Sequence, residues 1–368
     1  MKTICCALFL SCSIVLSAQQ NLQPGFDKSE YAELLRVSNR QSDTLGWDTL
    51  DPALTPQRYR MTYRSPVVGL KNRWDLWESN RPGDPIVVSI RGTTNDAVSW
   101  LANVYAAMSP AQGSMVFSDK FRFEYHLADN PAAAVHTGWL TGMAFLWRDM
   151  EPVLNKKHQS GARELLIIGH SQGGAIAYLL TSHLHYLKKS GKIPNGWRIK
   201  TYCSAAPKPG NLYYAYDYEQ VTAGGWAFTV VNPLDWVPES PLTVQTVNDF
   251  NQISPLSNIR QTIKKQKFPK KTVLKHVYKQ LSNPALKANK RYQKYFGKKA
   301  NKYVEKTLPD FQEPEYVNSN NYMRAGSPVV LVPDETYLKK YPNDPKSENI
   351  FRHHLPEQYL FLLERLPY

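Results

Sequence analysis

The chain has 368 residues, 42% of them apolar and 21% charged, a balance that suits a globular protein with a substantial core and excludes a disordered chain or one embedded in a membrane. Its net charge is +14, but sixteen Lys or Arg against one acid, Glu305, lie between Arg260 and Lys306, so the basicity belongs to one segment and the remainder is near neutral. Three of four cysteines precede residue 13, which leaves Cys203 without an internal disulfide partner, and no Cys/His spacing of the zinc-binding type occurs.

In chain order, Met1-Lys2, the apolar run Thr3 to Leu16 and the small pair Ser17-Ala18 have the layout of a secretory signal peptide over residues 1–18. This predicts a protein that is secreted or held in the periplasm or cell envelope. The run is too short for a comfortable bilayer span. Phe9-Leu10-Ser11-Cys12 approximates a lipid-attachment box, but Ile14-Val15-Leu16 continue the apolar run beyond it, which favours simple cleavage over a lipoprotein. Residues 19–368 are then expected to form one domain.

From Gln19 to Pro66 the sequence reads as an N-terminal extension, with helical spacing at Tyr31 to Arg36 and loop punctuation at Asp51-Pro52 and Thr55-Pro56. Pro85 to Ile90 is a compact apolar run suited to a buried central strand. Trp139 to Leu154 predicts a helix with Leu140, Met143, Ala144 and Trp147 on one stripe. A second buried strand is expected at Glu164 to Ile168, a helix at Gly174 to Lys188, and further strands at Ile199 to Ser204 and Ala227 to Val231. Such alternation predicts an α/β fold, a mostly parallel central sheet flanked by helices. Residues about 255–308 read as a basic helical insertion, with Val273, Val277, Tyr278 and Leu281 at helical spacing among lysines. Cys203, at an expected strand end, reads as a buried structural thiol.

The chemistry concentrates at Gly169-His170-Ser171-Gln172-Gly173, a G-x-S-x-G pattern with an apolar strand before it and a helix-compatible run after it. A serine on so sharp a strand-to-helix turn sits in a strained backbone, and the following helix offers its unpaired amides and positive dipole end to a developing oxyanion. Ser171 is therefore the candidate nucleophile. The competing reading makes it a helix cap only. His170 should point away from the site and support packing.

With these residues in view, the sequence resembles the class 3, fungal-lipase-like family of the α/β-hydrolase superfamily. Ile90-Arg-Gly-Thr-Thr94 followed by Ser99-Trp-Leu-Ala-Asn103 is similar to the family's oxyanion motif and its D-W-x-x-N stretch, with Ser99 where Asp is usual. Val135-His-Thr-Gly-Trp139, Ala206-Pro-Lys-Pro-Gly-Asn211 and Asn232-Pro-Leu-Asp-Trp-Val-Pro238 resemble three further family elements, all in family order. The resemblance implies an α/β-hydrolase fold with oxyanion-hole donors from Thr93 and Gln172, and position supports both, one after the nucleophile and one at an earlier strand end. It also implies Asp235 as the catalytic acid, in the chain order Ser, Asp, His; Asp217 and Asp249 lack the surrounding motif. His354-Leu-Pro-Glu-Gln-Tyr-Leu360 resembles the family's H-x-x-E-x-Y-L ending, which favours His354 over His353 as the base; His276 lies among surface lysines.

The implied activity is a carboxylic ester hydrolase, a triacylglycerol lipase or esterase using a Ser171–His354–Asp235 acyl-enzyme mechanism and no cofactor or metal. Phospholipase A1-type action on anionic membranes and a non-catalytic envelope-binding protein are the alternatives. Trp100, Leu101, Val104, Tyr105, Ala107 and Met108 read equally as an amphipathic lid or as a half-buried helix. The basic insertion reads as a solvated face or as a contact for an anionic membrane surface; nucleic acid is not expected, because no recognised reading module is present.

Overall fold

The computed structural model describes residues 21–41, 51–256 and 258–367, so the expected signal peptide lies outside the described residues. Helix α1 (Lys28–Asn39) precedes the strands β1 (Tyr59–Arg64), β2 (Trp74–Ser79) and β3 (Ile86–Ile90), and β3 leads to α2 (Ala97–Val104). Four strands follow, β4 (Met108–Pro110), β5 (Gln112–Ser118), β6 (Phe121–His126) and β7 (Ala134–His136), ending at α3 (Thr137–Gln159). Next come β8 (Glu164–His170), α4 (Gln172–Lys189), β9 (Arg198–Ser204), β10 (Gly210–Asn211), α5 (Leu212–Val221) and β11 (Ala227–Val231). The basic stretch holds α6 (Ile259–Lys264), α7 (Lys270–Gln293), a π-helical turn (Lys294–Lys299) and α8 (Ala300–Thr307). Strands β12 (Tyr322–Met323) and β13 (Ser327–Val330) and helices α9 (Glu335–Lys340) and α10 (Pro356–Glu364) complete the order.

The main sheet runs β1-β2-β3-β8-β9-β11-β13, parallel from β3 to β13 with an antiparallel edge at β1 and β2. A parallel strand covered on both faces must be apolar on both, and β3, β8 and β11 are buried along their whole length. Alternate residues serve opposite faces. Val88, Ile90 and Ile167 pack with Leu140 and Met143 of α3 and Ile176 and Leu180 of α4. Val87, Leu166 and Ile168 pack with Tyr31, Leu34 and Leu35 of α1 and Tyr359 and Leu363 of α10. Cys203 is buried in the first of these cores, and burial pushes its thiol pKa up, which leaves it an inert packing group.

The stretch expected as an N-terminal extension is instead part of the body. Helix α1 covers one sheet face and β1 forms its edge. Strand β2 escapes an apolar-run reading because it carries a fully buried acid, Asp75, which Arg64 of β1 meets at 2.7 and 2.9 Å. Burial first of all raises the Asp75 pKa, and the guanidinium works against that shift.

Helix α7 meets α6 and the π turn, and the basic stretch is anchored beyond them. Phe296 accepts a backbone bond from Ala107 at 3.0 Å, and Asn301 of α8 accepts from the Tyr105 hydroxyl at 2.8 Å. Among the described residues, no helix is long and apolar enough to cross a membrane.

Candidate active site

Ser171 joins the end of β8 to the start of α4 with φ 60° and ψ −130°, a left-handed conformation that non-glycine residues adopt only when their surroundings enforce it. Its amide donates to the Ser204 carbonyl at 2.9 Å and its carbonyl accepts from Gly174 at 2.9 Å, so both sides of the strained residue are clamped. Two of the neighbouring glycines are dictated by close approach: a Cβ on Gly169 would fall on the Gly173 carbonyl, and one on Gly173 would fall on the Ile90 carbonyl. The side chain of Ser171 makes no capping bond to α4, so the cap-only reading does not describe it. Gly92 packs against the serine, which brings the end of β3 beside the turn.

Thr93 and Gln172 lie on either side of this turn. Among the described residues, neither backbone amide donates a hydrogen bond within the chain, so both remain available. Asn103, on the last turn of α2, braces the two residues. Its Oδ1 accepts from Gln172 Nε2 at 2.7 Å and from Trp139 Nε1 at 3.0 Å, and its Nδ2 donates to Thr93 Oγ1 at 2.9 Å. An indole nitrogen only donates, which fixes the orientation of the Asn103 amide. The Thr93 hydroxyl therefore receives a bond from Asn103 and keeps its own proton for another acceptor. Ser99, standing where the resembling motif has Asp, accepts from the Thr94 amide at 3.0 Å, while its carbonyl takes a second bond from Gln172 Nε2 at 3.1 Å.

His136 supports the same bracket from below. Burial lowers its pKa to about 3, so the ring is neutral; Nε2 donates to the Asn103 carbonyl at 3.2 Å and Nδ1 accepts from the Trp139 amide at 3.3 Å.

The acid and the histidine come from the C-terminal side of the sheet. Asp235, 2% exposed in the turn after β11, holds His354 Nδ1 at 2.7 Å through Oδ2. The same oxygen accepts from the Tyr359 hydroxyl at 2.8 Å, and Oδ1 accepts from the Val237 amide at 3.0 Å. A carboxylate only accepts, so Nδ1 of a neutral His354 carries the proton and Nε2 presents a lone pair. His353 turns elsewhere: its Nδ1 meets the Tyr337 hydroxyl at 2.8 Å, and its carbonyl accepts from Asn232 at 3.0 Å. Burial and the adjacent Arg352 lower the His353 pKa. Of the remaining candidates, Asp217 is occupied by Tyr186 and the Asp129 amide, Asp249 caps a turn at Thr246, and His276 sits on α7, while Asp235 is held by His354.

His354 also lies beside the Ser171 turn. Its ring centroid is 4.8 Å from that of His170, and His170 Nε2 meets the His354 carbonyl at 2.7 Å. Burial, with a smaller push from His354, holds the His170 pKa well below its usual value. A carbonyl cannot donate, so the neutral ring is protonated on Nε2 and accepts on Nδ1 from Ser204 Oγ at 3.0 Å; Ser204 in turn accepts from the Tyr31 hydroxyl at 2.7 Å. The residue before Ser171 thus fixes the backbone of His354. An aromatic rim stands over this region, with Phe351 5.7 Å from His354, 5.7 Å from Trp236 and 6.1 Å from the half-exposed Trp100 of α2.

Sequence reasoning assigned no role to Asn103 or Tyr359. The available signal was their place in the quoted stretches, four residues after Ser99 and five after His354.

The family described as "Lipase (class 3)" matches residues 87–245. No curated protein matches the chain. Solved structures similar to it include the Lip2 lipase from Yarrowia lipolytica, 17% identical with TM-score 0.43, over 60% of this chain and 76% of that one. A lipase from Rhizopus microsporus var. chinensis is 20% identical with TM-score 0.40, over 58% and 68% of the two chains. The Rhizomucor miehei triacylglyceride lipase is 16% identical with TM-score 0.43, over 60% and 77%. Residues 87–245 thus match the class 3 lipase family, and they lie in a chain whose main sheet is mostly parallel and flanked by helices.

Proposed function

We propose that the chain hydrolyses carboxylic esters of lipids, triacylglycerols among them, by acyl transfer to Ser171. The match of residues 87–245 to the class 3 lipase family supports a lipid ester hydrolase. The single observation that carries the mechanism is the Asp235–His354 bond of 2.7 Å, formed beside a serine held in a strained turn. In the reading this supports, His354 Nε2 takes the Ser171 proton as Oγ bonds to the ester carbonyl carbon. The carbonyl oxygen becomes an oxyanion and receives the Thr93 and Gln172 amides and the Thr93 hydroxyl. Collapse breaks the bond to the alcohol, which leaves with the proton from His354. Water then repeats the sequence on the acyl-serine and releases the acid. Each oxyanion donor is worth about 3 to 4 kcal/mol in acyl transfer.

Labelling with a serine-directed fluorophosphonate tests this. The wild type should label and hydrolyse emulsified triglyceride, and Ser171→Ala should do neither. A wild type that stays unlabelled in the presence of lipid would leave the scaffold a binding protein.

A further inference from the structure

The basic stretch presents a surface that the ester chemistry does not use. On α7, Val273, Val277 and Leu281 form one row at every fourth position, with Leu274 beside them, and these side chains stand open to water: Val273 is 59% exposed, Val277 47% and Leu281 74%. Phe268, just before the helix, is 85% exposed. Tyr292, further along the same helix, is only 6% exposed, so the open row belongs to the turns that reach beyond the protein body. Lys271, Lys275 and Lys279 form a second row with the same spacing, each two residues from its counterpart and so on the opposite side of the helix. Among the described residues, none of the sixteen cations from Arg260 to Lys306 forms an ion pair.

We infer that α7 is an interfacial helix that docks the protein on an anionic lipid surface, with the row Val273, Val277 and Leu281 entering the acyl boundary and the lysines of the opposite, polar face drawn toward the surface by the charge of its headgroups. Charge complementarity selects the occupant. A nucleic acid or an acidic protein would answer the lysines and leave the aliphatic row in water, whereas an uncharged oil surface would do the reverse. An anionic bilayer answers both, by the apolar burial and electrostatic attraction that hold amphipathic helices at interfaces. The anchor of this stretch is in keeping: Phe296 and Asn301 bond to Ala107 and Tyr105, immediately after the α2 turn that carries Asn103. Docking would thus hold the candidate site close to its lipid. That benefit, though not the docking itself, rests on the proposed hydrolase reading.

The test is co-sedimentation of the full chain with vesicles of phosphatidylcholine alone and of phosphatidylcholine mixed with phosphatidylglycerol. Turnover of a soluble short-chain ester is followed in parallel. Binding should require the anionic lipid and weaken as salt rises. The combined Lys271→Gln, Lys275→Gln and Lys279→Gln variant should bind about a hundredfold more weakly, and Val277→Ser with Leu281→Ser at least about tenfold more weakly. Soluble-ester turnover should be unchanged in both, because neither set touches the site. Equal binding to both vesicle types, binding insensitive to salt and to both variants, or retention on RNA with none on vesicles would overturn the proposal. Anionic-vesicle binding without any ester turnover would overturn the hydrolase reading and leave docking standing.

Discussion

Replacing Asn103 by Leu keeps the side-chain volume and removes all three hydrogen bonds through which the residue braces Thr93, Gln172 and Trp139. Two separate consequences follow. Trp139 is 2% exposed, and its indole N–H loses its only partner among the described residues, at a cost of about 1 to 3 kcal/mol in stability. Gln172 keeps its bond to the Ser99 carbonyl, so the start of α4 should persist. Thr93 loses the donor that orients its hydroxyl; in its proposed oxyanion role, loss of one aligned donor should cost about 2.7 to 4 kcal/mol, or about a hundredfold or more in kcat. The expected phenotype is a folded, somewhat destabilised enzyme with kcat down about a hundredfold and KM little changed. Urea denaturation and steady-state kinetics on a soluble ester separate the two effects. A double-mutant cycle with Thr93→Ala checks the route. If Asn103 acts through Thr93, the pair should lose less than the two single losses combined, by about 1 kcal/mol or more. Full additivity, or an unchanged kcat in Asn103→Leu, would refute the bracket as an oxyanion support.

Two further outcomes test the other half of the site and the core. Tyr359→Phe removes a buried hydroxyl that accepts from the Asn232 amide at 3.1 Å and donates to Asp235 Oδ2 at 2.8 Å; denaturation should report a loss of about 1 to 3 kcal/mol, accompanied by a severalfold fall in kcat. Unchanged stability would deny the buried bonds. His136 and His183 have folded pKa values lowered by burial to about 3 from an ordinary 6.5, and that of His170 is lowered in the same direction. The unfolded chain therefore takes up protons first, so stability is full above pH 6.5 and falls below it. For His136 and His183 the slope is about 1.4 kcal/mol per pH unit each, down to about pH 3. Stability that is flat between pH 7 and pH 4 would mean these rings are not buried neutral.

The parts of the fold readable from the chain were those where one local pattern has one structural meaning. The runs at β3, β8 and β11 are buried on both faces, and their mostly apolar sequences, broken in β3 and β11 only by Ser89 and Thr229, announce it. The elbow is equally local, since the glycines around Ser171 answer to atoms of β3 and α4 that any such turn must approach. Strands β1 and β2 were not visible. Asp75 interrupts the apolar pattern, and only its pairing with Arg64 across the ladder makes a strand with a buried acid tolerable. The choice between His353 and His354 was ambiguous for another reason. Adjacent side chains leave the backbone in different directions, and which one meets Asp235 depends on Tyr337, Asn232 and His170, all distant in sequence. Asn103 had no visible role because its meaning lies in simultaneous contact with residues 10, 36 and 69 positions away.

The same long-range logic ties α1 to the candidate site. The candidate serine and acid follow strands β8 and β11, whereas the candidate histidine comes from a separate stretch that no strand positions. The imidazole of His354 is held at both levels, its ring by Asp235 and its carbonyl by His170. His170 can hold that carbonyl only while protonated on Nε2, which requires a donor at Nδ1; Ser204 fills that place because Tyr31 on α1 supplies Ser204 with a donor of its own. Orientation of the candidate base therefore runs through a buried chain of hydroxyls that starts at the N-terminal helix. Its members include His170, just before Ser171, and Ser204, whose carbonyl receives the Ser171 amide, so the network that clamps the strained turn also positions the ring beside it.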